Sequence, residues 1–319
     1  MFEYRNIPKK YINQLARIHK IKYLGRTEEE VIGDLIQAGH KERLLYLNEQ
    51  FKFSSLHMTI CQPESNFPDK SNTPEKFLET LVSEGHITQK GINNEWEPPL
   101  KPAIQICAVK HDGAAVYLKL VEEKFTLRKN GYTTVSASYA SFTSVVIHFG
   151  EEELIQLRCP FKDVKKYADY VMNLMGFAKP YTYFTVPKLT RENAKQLCAL
   201  LSAGVASKHI ALPTSVGSIR FNGKKGVNLD TDHTYQRIAS AFEGLRLPTD
   251  HTMDETCFFS FTDQKTSIVV EVTFEVNIQK GYFKFTTAVP EAVIDHVLDA
   301  LVAVNGSSRQ QQMTAAGKE

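Results

Sequence analysis

The sequence predicts an α+β protein: a small N-terminal helical region followed by antiparallel, sheet-rich units in which a meander runs into a helix. Three observations carry this. From Thr266 to Ile278, apolar Ile268, Val270, Val272, Phe274, Val276 and Ile278 alternate with Ser267, Glu271, Thr273, Glu275 and Asn277, as in a long strand with one buried face. After a turn at Gln279-Lys280-Gly281, a return strand over 282–287 leads through Pro290 into the helical spacing of Val293, Ile294, Val297, Leu298, Leu301 and Val302. Farther upstream, Asn130-Gly131 between β-rich runs is a strong local hairpin signal.

The first 60 residues read as helical. Residues 1–26 set Arg5, Lys9, Lys10, Arg17, Lys20, Lys22 and Arg26 against Glu3 alone, a local charge of +6. After Pro8, the spacing of Tyr11 or Ile12, Leu15 and Ile18 makes this a basic amphipathic helix. Thr27 with Glu30 forms a capping box for a second helix that stops at Gly39, and a third runs from Lys41 through Leu44, Leu47 and Phe51. Residues 61–102 read as a connector rich in Pro, Ser, Asn and acids. It holds one short helix, with Thr73 as N-cap and Pro74 in the first turn. A domain boundary is placed near Pro102.

Residues 103–180 read as strands 103–110, 114–121, 125–129, 132–138, 142–149 and 154–159. Pro160 then opens a helix carrying Val164, Tyr167, Ala168, Val171, Met172 and Met175. A second α+β unit, 181–305, begins with a helix at Leu189-Thr190. SIRFNGKKGVNLD follows as a hairpin with Asn222-Gly223 near its tip, then a helix from Tyr235 and a three-strand meander from Cys257. The tail 306–319 lacks apolar periodicity and is expected to be disordered. Glycine, strand, proline and helix follow in the same order after Gly150 and after Gly281, which suggests a weak internal duplication.

Composition excludes several classes. At 42% hydrophobic, 23% charged and net +2, the 319-residue chain has no global charge bias toward nucleic acid, so any such preference must be local. No apolar run is long enough to cross a membrane and no signal peptide opens the chain, so the expected setting is cytoplasmic. The five cysteines are scattered and odd in number, fitting reduced core thiols. Phosphate-loop, dinucleotide, zincin and esterase motifs are absent, and no cofactor is expected.

Two acidic groups could carry chemistry. Asp230, Asp232 and His233 offer ligand types suited to a divalent metal, with His251, Asp254 and Glu255 nearby in sequence, although N-capping of the next helix is the plainer role. Asp112, Glu122 and Lys124 offer the acids and lysine of a magnesium-dependent phosphodiesterase, against plainer turn and strand-end roles. The basic tip Lys224-Lys225 could touch phosphates.

The leading expectation is a non-enzymatic binding protein that meets nucleic acid, as a DNA-binding protein would, through Lys9, Lys10, Arg17, Lys20 and Lys22, and partner proteins through its α+β body, on the outward face of the 266–278 strand. Tyr11 and Tyr23 would serve as stacking groups. The alternatives are a metal-dependent nuclease or nucleotide hydrolase, and a protein-only interaction or inhibitor module. The last would use the sheet face or the long strand edge for partner pairing, and Glu271 and Glu275 point outward from the 266–278 strand.

Overall fold

The computed structural model describes residues 4–150, 153–186, 191–212, 216–245, 247, 252–278 and 280–316. In chain order, three helices come first: α1 (Lys9–Ile18), α2 (Glu28–Gln37) and α3 (Lys41–Lys52). Next come β1 (His57–Pro63), α4 (Pro74–Ser83), β2 (Gln105–Asp112), β3 (Ala115–Asn130), β4 (Thr133–His148), β5 (Leu154–Arg158), α5 (Val164–Met175) and β6 (Tyr183–Val186). The chain ends with α6 (Arg191–Leu200), β7 (Gly204–Ala211), β8 (Ser218–Asn222), α7 (His233–Gly244), β9 (Thr252–Thr262), β10 (Val269–Asn277), β11 (Tyr282–Phe285) and α8 (Glu291–Ala316). The fold is α+β with antiparallel strand pairing, and it separates into two compact units, residues 57–186 and residues 1–56 with 187–319.

In the 57–186 unit the strand order is β2-β3-β4-β5-β1, with β6 also paired to β1. Register places Val116, Leu118 and Leu120 of β3 level with Ile147, Val145 and Thr143 of β4, and Ile155 and Leu157 of β5 complete the same face. That face is covered by Phe77, Leu78 and Leu81 of α4 and by Val164, Tyr167, Ala168 and Val171 of α5. Thr73 caps α4 by accepting from the Lys76 amide, with Pro74 in the first turn as expected. β1 and β5 are buried on both faces, so their sequences lack alternation, and β1 is not legible as a strand.

In the other unit the order is β8-β7-β9-β10-β11. Ile268, Val270, Val272, Phe274 and Val276 are all buried, as the alternation predicts, while Glu271 is exposed and accepts from Ser260 Oγ at 2.9 Å. Phe274 meets Phe259, Phe283 and Phe285 at centroid distances of 6.0 to 6.2 Å. Val293, Val297 and Leu301 of α8 are buried, and His296 lies 5.8 Å from the Phe259 ring. The N-terminal helices belong to this unit rather than to a domain of their own. Tyr11 Oη donates to the Ala288 carbonyl at 3.0 Å, and Gln50 Oε1 accepts from the Ala292 amide at 2.8 Å.

Both units repeat one plan. Strand order β2-β3-β4-β5 in one matches β7-β9-β10-β11 in the other, each set preceded by a helix (α4, α6) and followed by one (α5, α8), with β8 and α7 inserted after β7. The duplication suggested by the glycine-to-proline spacing therefore has a topological counterpart. The boundary expected near Pro102 is not where the units part: 61–102 packs Phe67, Phe77, Leu78, Leu81 and Ile87 into the core of the 57–186 unit. SIRFN pairs back onto β7, and Lys224–Val227 is a turn rather than a hairpin tip. The backbone of α8 is helical through Ala316 and so runs into the tail 306–319 that lacks apolar periodicity. The expected helix start at Leu189-Thr190 lies outside the described residues.

Candidate nucleic-acid interface

The sheet that builds the 57–186 core does not end where the core ends. β3 and β4 are each 16 residues long and pair without interruption from Ala115↔His148 to Asn130↔Thr133. Their counterparts β9 and β10 have 11 and 9 residues. Burial of β3 stops at Glu122, and the eight residues from there to Asn130 extend the ribbon by about 27 Å at the usual strand rise. Gly131, at φ +61°, takes the first place of the two-residue loop, the position where a type II′ turn demands glycine.

Pairing sorts this arm into two faces. One holds Phe125, Leu127 and Phe142 among the small residues Ser136, Ser138 and Ala140. The other holds Lys124, Arg128, Val135 and Tyr139 with Thr126 and Ala137. Phe125, Leu127, Tyr132, Val135, Tyr139 and Phe142 are all exposed. From Lys124 to Phe142 the chain carries Lys124, Arg128 and Lys129 and no acidic residue. Basic side chains interleaved with exposed aromatics match what a polyanion with planar bases requires.

The arm is anchored at its root by Glu122, which is 2% exposed. Its carboxylate accepts from Tyr167 Oη at 2.8 Å, pairs with Lys124 Nζ at 3.0 Å and accepts from Lys166 Nζ. Burial opposes ionisation of Glu122, but the hydrogen bonds from Lys166, Lys124 and Tyr167 outweigh it and hold the carboxyl below its ordinary value. Partial burial likewise opposes the charge on Lys124, and Glu122 more than offsets it, raising the lysine.

Glu122, Lys124 and Asp112 do not form a metal site. Asp112 sits opposite Ala115 at the far end of β3 from Glu122, about 23 Å away along the strand, and pairs instead with Lys110 at 2.8 Å. Glu122-Glu123-Lys124 is no strand end either, because the β3–β4 ladder runs straight through it. The Asp230, Asp232, His233 group is also dispersed. Asp230 Oδ1 pairs with the buried Lys208 at 2.6 Å, and Asp232 caps α7 by accepting from the Tyr235 amide at 2.8 Å, with His233 the first helical residue. Asp254 is taken up by His209 (2.9 Å) and Arg220 (2.8 Å), and Glu255 pairs with Lys208 at 3.5 Å. His251 lies outside the described residues. Among the described residues, no three His, Cys, Asp or Glu side chains are grouped to hold a metal ion.

The basic N-terminal helix has its expected form, with one correction. Ile12, Leu15 and Ala16 of α1 are buried, while Lys9, Lys10 and Arg17 lie on its outer arc, with Lys20 and Lys22 exposed just beyond it. Tyr11, expected as a stacking group, is 1% exposed. Its ring packs 4.5 Å from that of Phe51 and its hydroxyl is used by Ala288, so no base can reach it. Lys10 is tethered to Thr287 Oγ1 at 3.0 Å, and burial lowers its pKa. Tyr23 is half-buried, and Lys224 and Lys225 are exposed in their turn.

The arm is visible in the sequence as a hairpin, but not as strands that run on unbroken from the core sheet. Its signal is the acid-free run 124–142 with apolar residues placed on both sides of the Asn130-Gly131 turn. The chain matches no protein-family model, and no curated protein matches it in sequence. No described helix is long and apolar enough to cross a membrane.

Proposed function

We propose that this is a non-enzymatic nucleic-acid-binding protein whose principal contact is the β3–β4 arm. The observation that carries the reading is the contrast between repeats. The β9–β10 pair closes the same strand-and-helix plan with strands of 11 and 9 residues, so the longer β3–β4 ribbon exceeds what the fold needs. An extension that exposes aromatic rings and buries little costs solubility unless a partner uses it. Arg128 and Lys129, beyond the Lys124 that Glu122 holds at the root, define that partner as anionic, and Tyr132 and Tyr139 as one with stacking groups. The outer arc of α1, with Lys9 and Arg17, supplies a second basic surface on the other unit.

The test is a titration of labelled DNA and RNA at several salt concentrations. Reversing Arg128 and Lys129 to glutamate should weaken binding and flatten the salt slope. Each lost phosphate contact removes about 0.9 from the slope on duplex or about 0.7 on single strands. Reversing Lys9 and Lys20 should have the smaller effect. Affinity and slope unchanged in the arm variant at every salt concentration would refute the reading.

A further inference from the structure

The arm's root opens onto a groove on the same unit. It has a volume of about 930 Å³ and runs along α5, lined by Lys165, Lys166, Tyr170, Asn173, Lys179 and Tyr181, with Asp169 as its one acid. Lys166 joins groove to arm, because it and the arm's first basic residue, Lys124, bind the same Glu122 carboxylate. Lys165 is mostly exposed and reaches Asp169 at 2.7 Å. Tyr181 is held by its hydroxyl, which donates to Asn173 Oδ1 at 2.9 Å, and Lys179 Nζ sits 5.9 Å from its ring centroid.

We infer that this groove binds single-stranded nucleic acid, continuing the track of the arm, with phosphates on Lys165 and Lys179 and an unpaired base against Tyr181. The inference rests on the nucleic-acid reading of the arm and narrows its ligand. Two considerations select a single strand. A partly buried tyrosine beside a lysine in a groove can meet only a base whose face is free, and in a duplex the faces are stacked on their neighbours. Lys165, Lys166 and Lys179 of the lining, with Lys124 at the arm's root, stand against two carboxylates, Asp169 and Glu122, and the surplus of two positive charges suits a backbone laid along the groove.

The experiment is fluorescence anisotropy with oligothymidylate and oligouridylate of about 20 nucleotides, longer than a single site of this kind, beside a duplex of the same length. The wild-type chain should bind the single strands more tightly than the duplex. Tyr181→Ala should lose about tenfold on single strands, the lower range for one stacked base, and change little on duplex. Tyr181→Phe, which keeps the ring and drops the bond to Asn173, should bind nearly as wild type. Lys165→Glu, an exposed substitution that leaves the core intact, should also weaken single-strand binding. If Tyr181→Ala and Lys165→Glu bind like wild type while the Arg128→Glu, Lys129→Glu variant does not, the groove is wrong and the arm stands. A preference of the wild type for duplex overturns the groove as well. Absence of binding to every probe at low salt overturns both.

Discussion

Removing the Glu122 carboxylate should loosen the root of the arm by an amount that can be worked from its partners. In Glu122→Ala, Tyr167 Oη loses a buried acceptor at 2.8 Å, although Thr143 remains within its reach. A hydrogen bond to a charged group contributes about 1.5–3 kcal/mol. The two lysines lose their counter-ion, but their side chains are 35% and 49% exposed, so water replaces it. That keeps each pair within the range of about 0–1 kcal/mol measured for exposed ion pairs, and away from the about 3–5 kcal/mol of an orphaned buried charge. The expected loss is about 2–4 kcal/mol for Glu122→Ala, and about 1–2 kcal/mol for Glu122→Gln, which keeps the shape and one acceptor. Because the folded carboxyl titrates below its ordinary value of 4.5, its stabilisation is complete above that pH and fades as pH falls through the folded value. Trp96, the only tryptophan, packs against the core of the 57–186 unit and reports its unfolding in urea. Wild type and Glu122→Gln should differ at pH 7 and converge in acid. An alanine variant within about 0.5 kcal/mol of wild type, or a gap independent of pH, would refute the network as drawn.

Two further outcomes follow from the other unit. Phe274→Ala, at a fully buried site among three phenylalanines, should cost about 3–5 kcal/mol, whereas Glu271→Gln should cost less than about 0.5 kcal/mol; hydrogen exchange of the β10 and β11 amides separates them, and the reverse ranking would invert the face assignment. Asp232→Ala should cost about 1 kcal/mol through loss of the α7 cap, with wild-type thermal melts superimposable with and without chelator; a chelator-sensitive melt would restore the metal reading.

Much of the architecture was legible because local physics wrote it into short stretches. The 266–278 alternation fixes which side chains of β10 are buried, since strand side chains must alternate whatever they pack against. The Thr27–Glu30 capping box and the Thr73-Pro74 start are likewise present, because capping is settled within four residues. Strands buried on both faces have no such signature, and β1, over 57–63, therefore falls unseen across the end of the expected helical region and the start of the expected connector. β7 was also missed, since Gly204, Ala206 and Ser207 carry weak strand preference and its identity comes from pairing with β8 and β9.

The site depended more heavily on tertiary structure. Sequence placed Asp112, Glu122 and Lys124 within one segment, but an extended strand separates its ends by 3.3–3.4 Å per residue, and only the register showed the acids standing apart. Tyr11 read as an exposed ring on a basic helix until its helix met the Phe51 side chain and the Ala288 carbonyl, partners 40 and 277 positions along the chain. Glu122-Glu123-Lys124 read as a break because charged residues there oppose burial. The structure makes them the middle of one strand, with Glu122 satisfied by Lys166 and Tyr167 from α5. The sequence alone carries Lys124, Arg128 and Lys129 with no acid from 124 to 142, but the exposure of the aromatics in that run is a property of the structure. That it projects as an arm was decided by where the core beneath it ends, since a chain pattern records which residues alternate but not how far a neighbouring helix reaches to cover them.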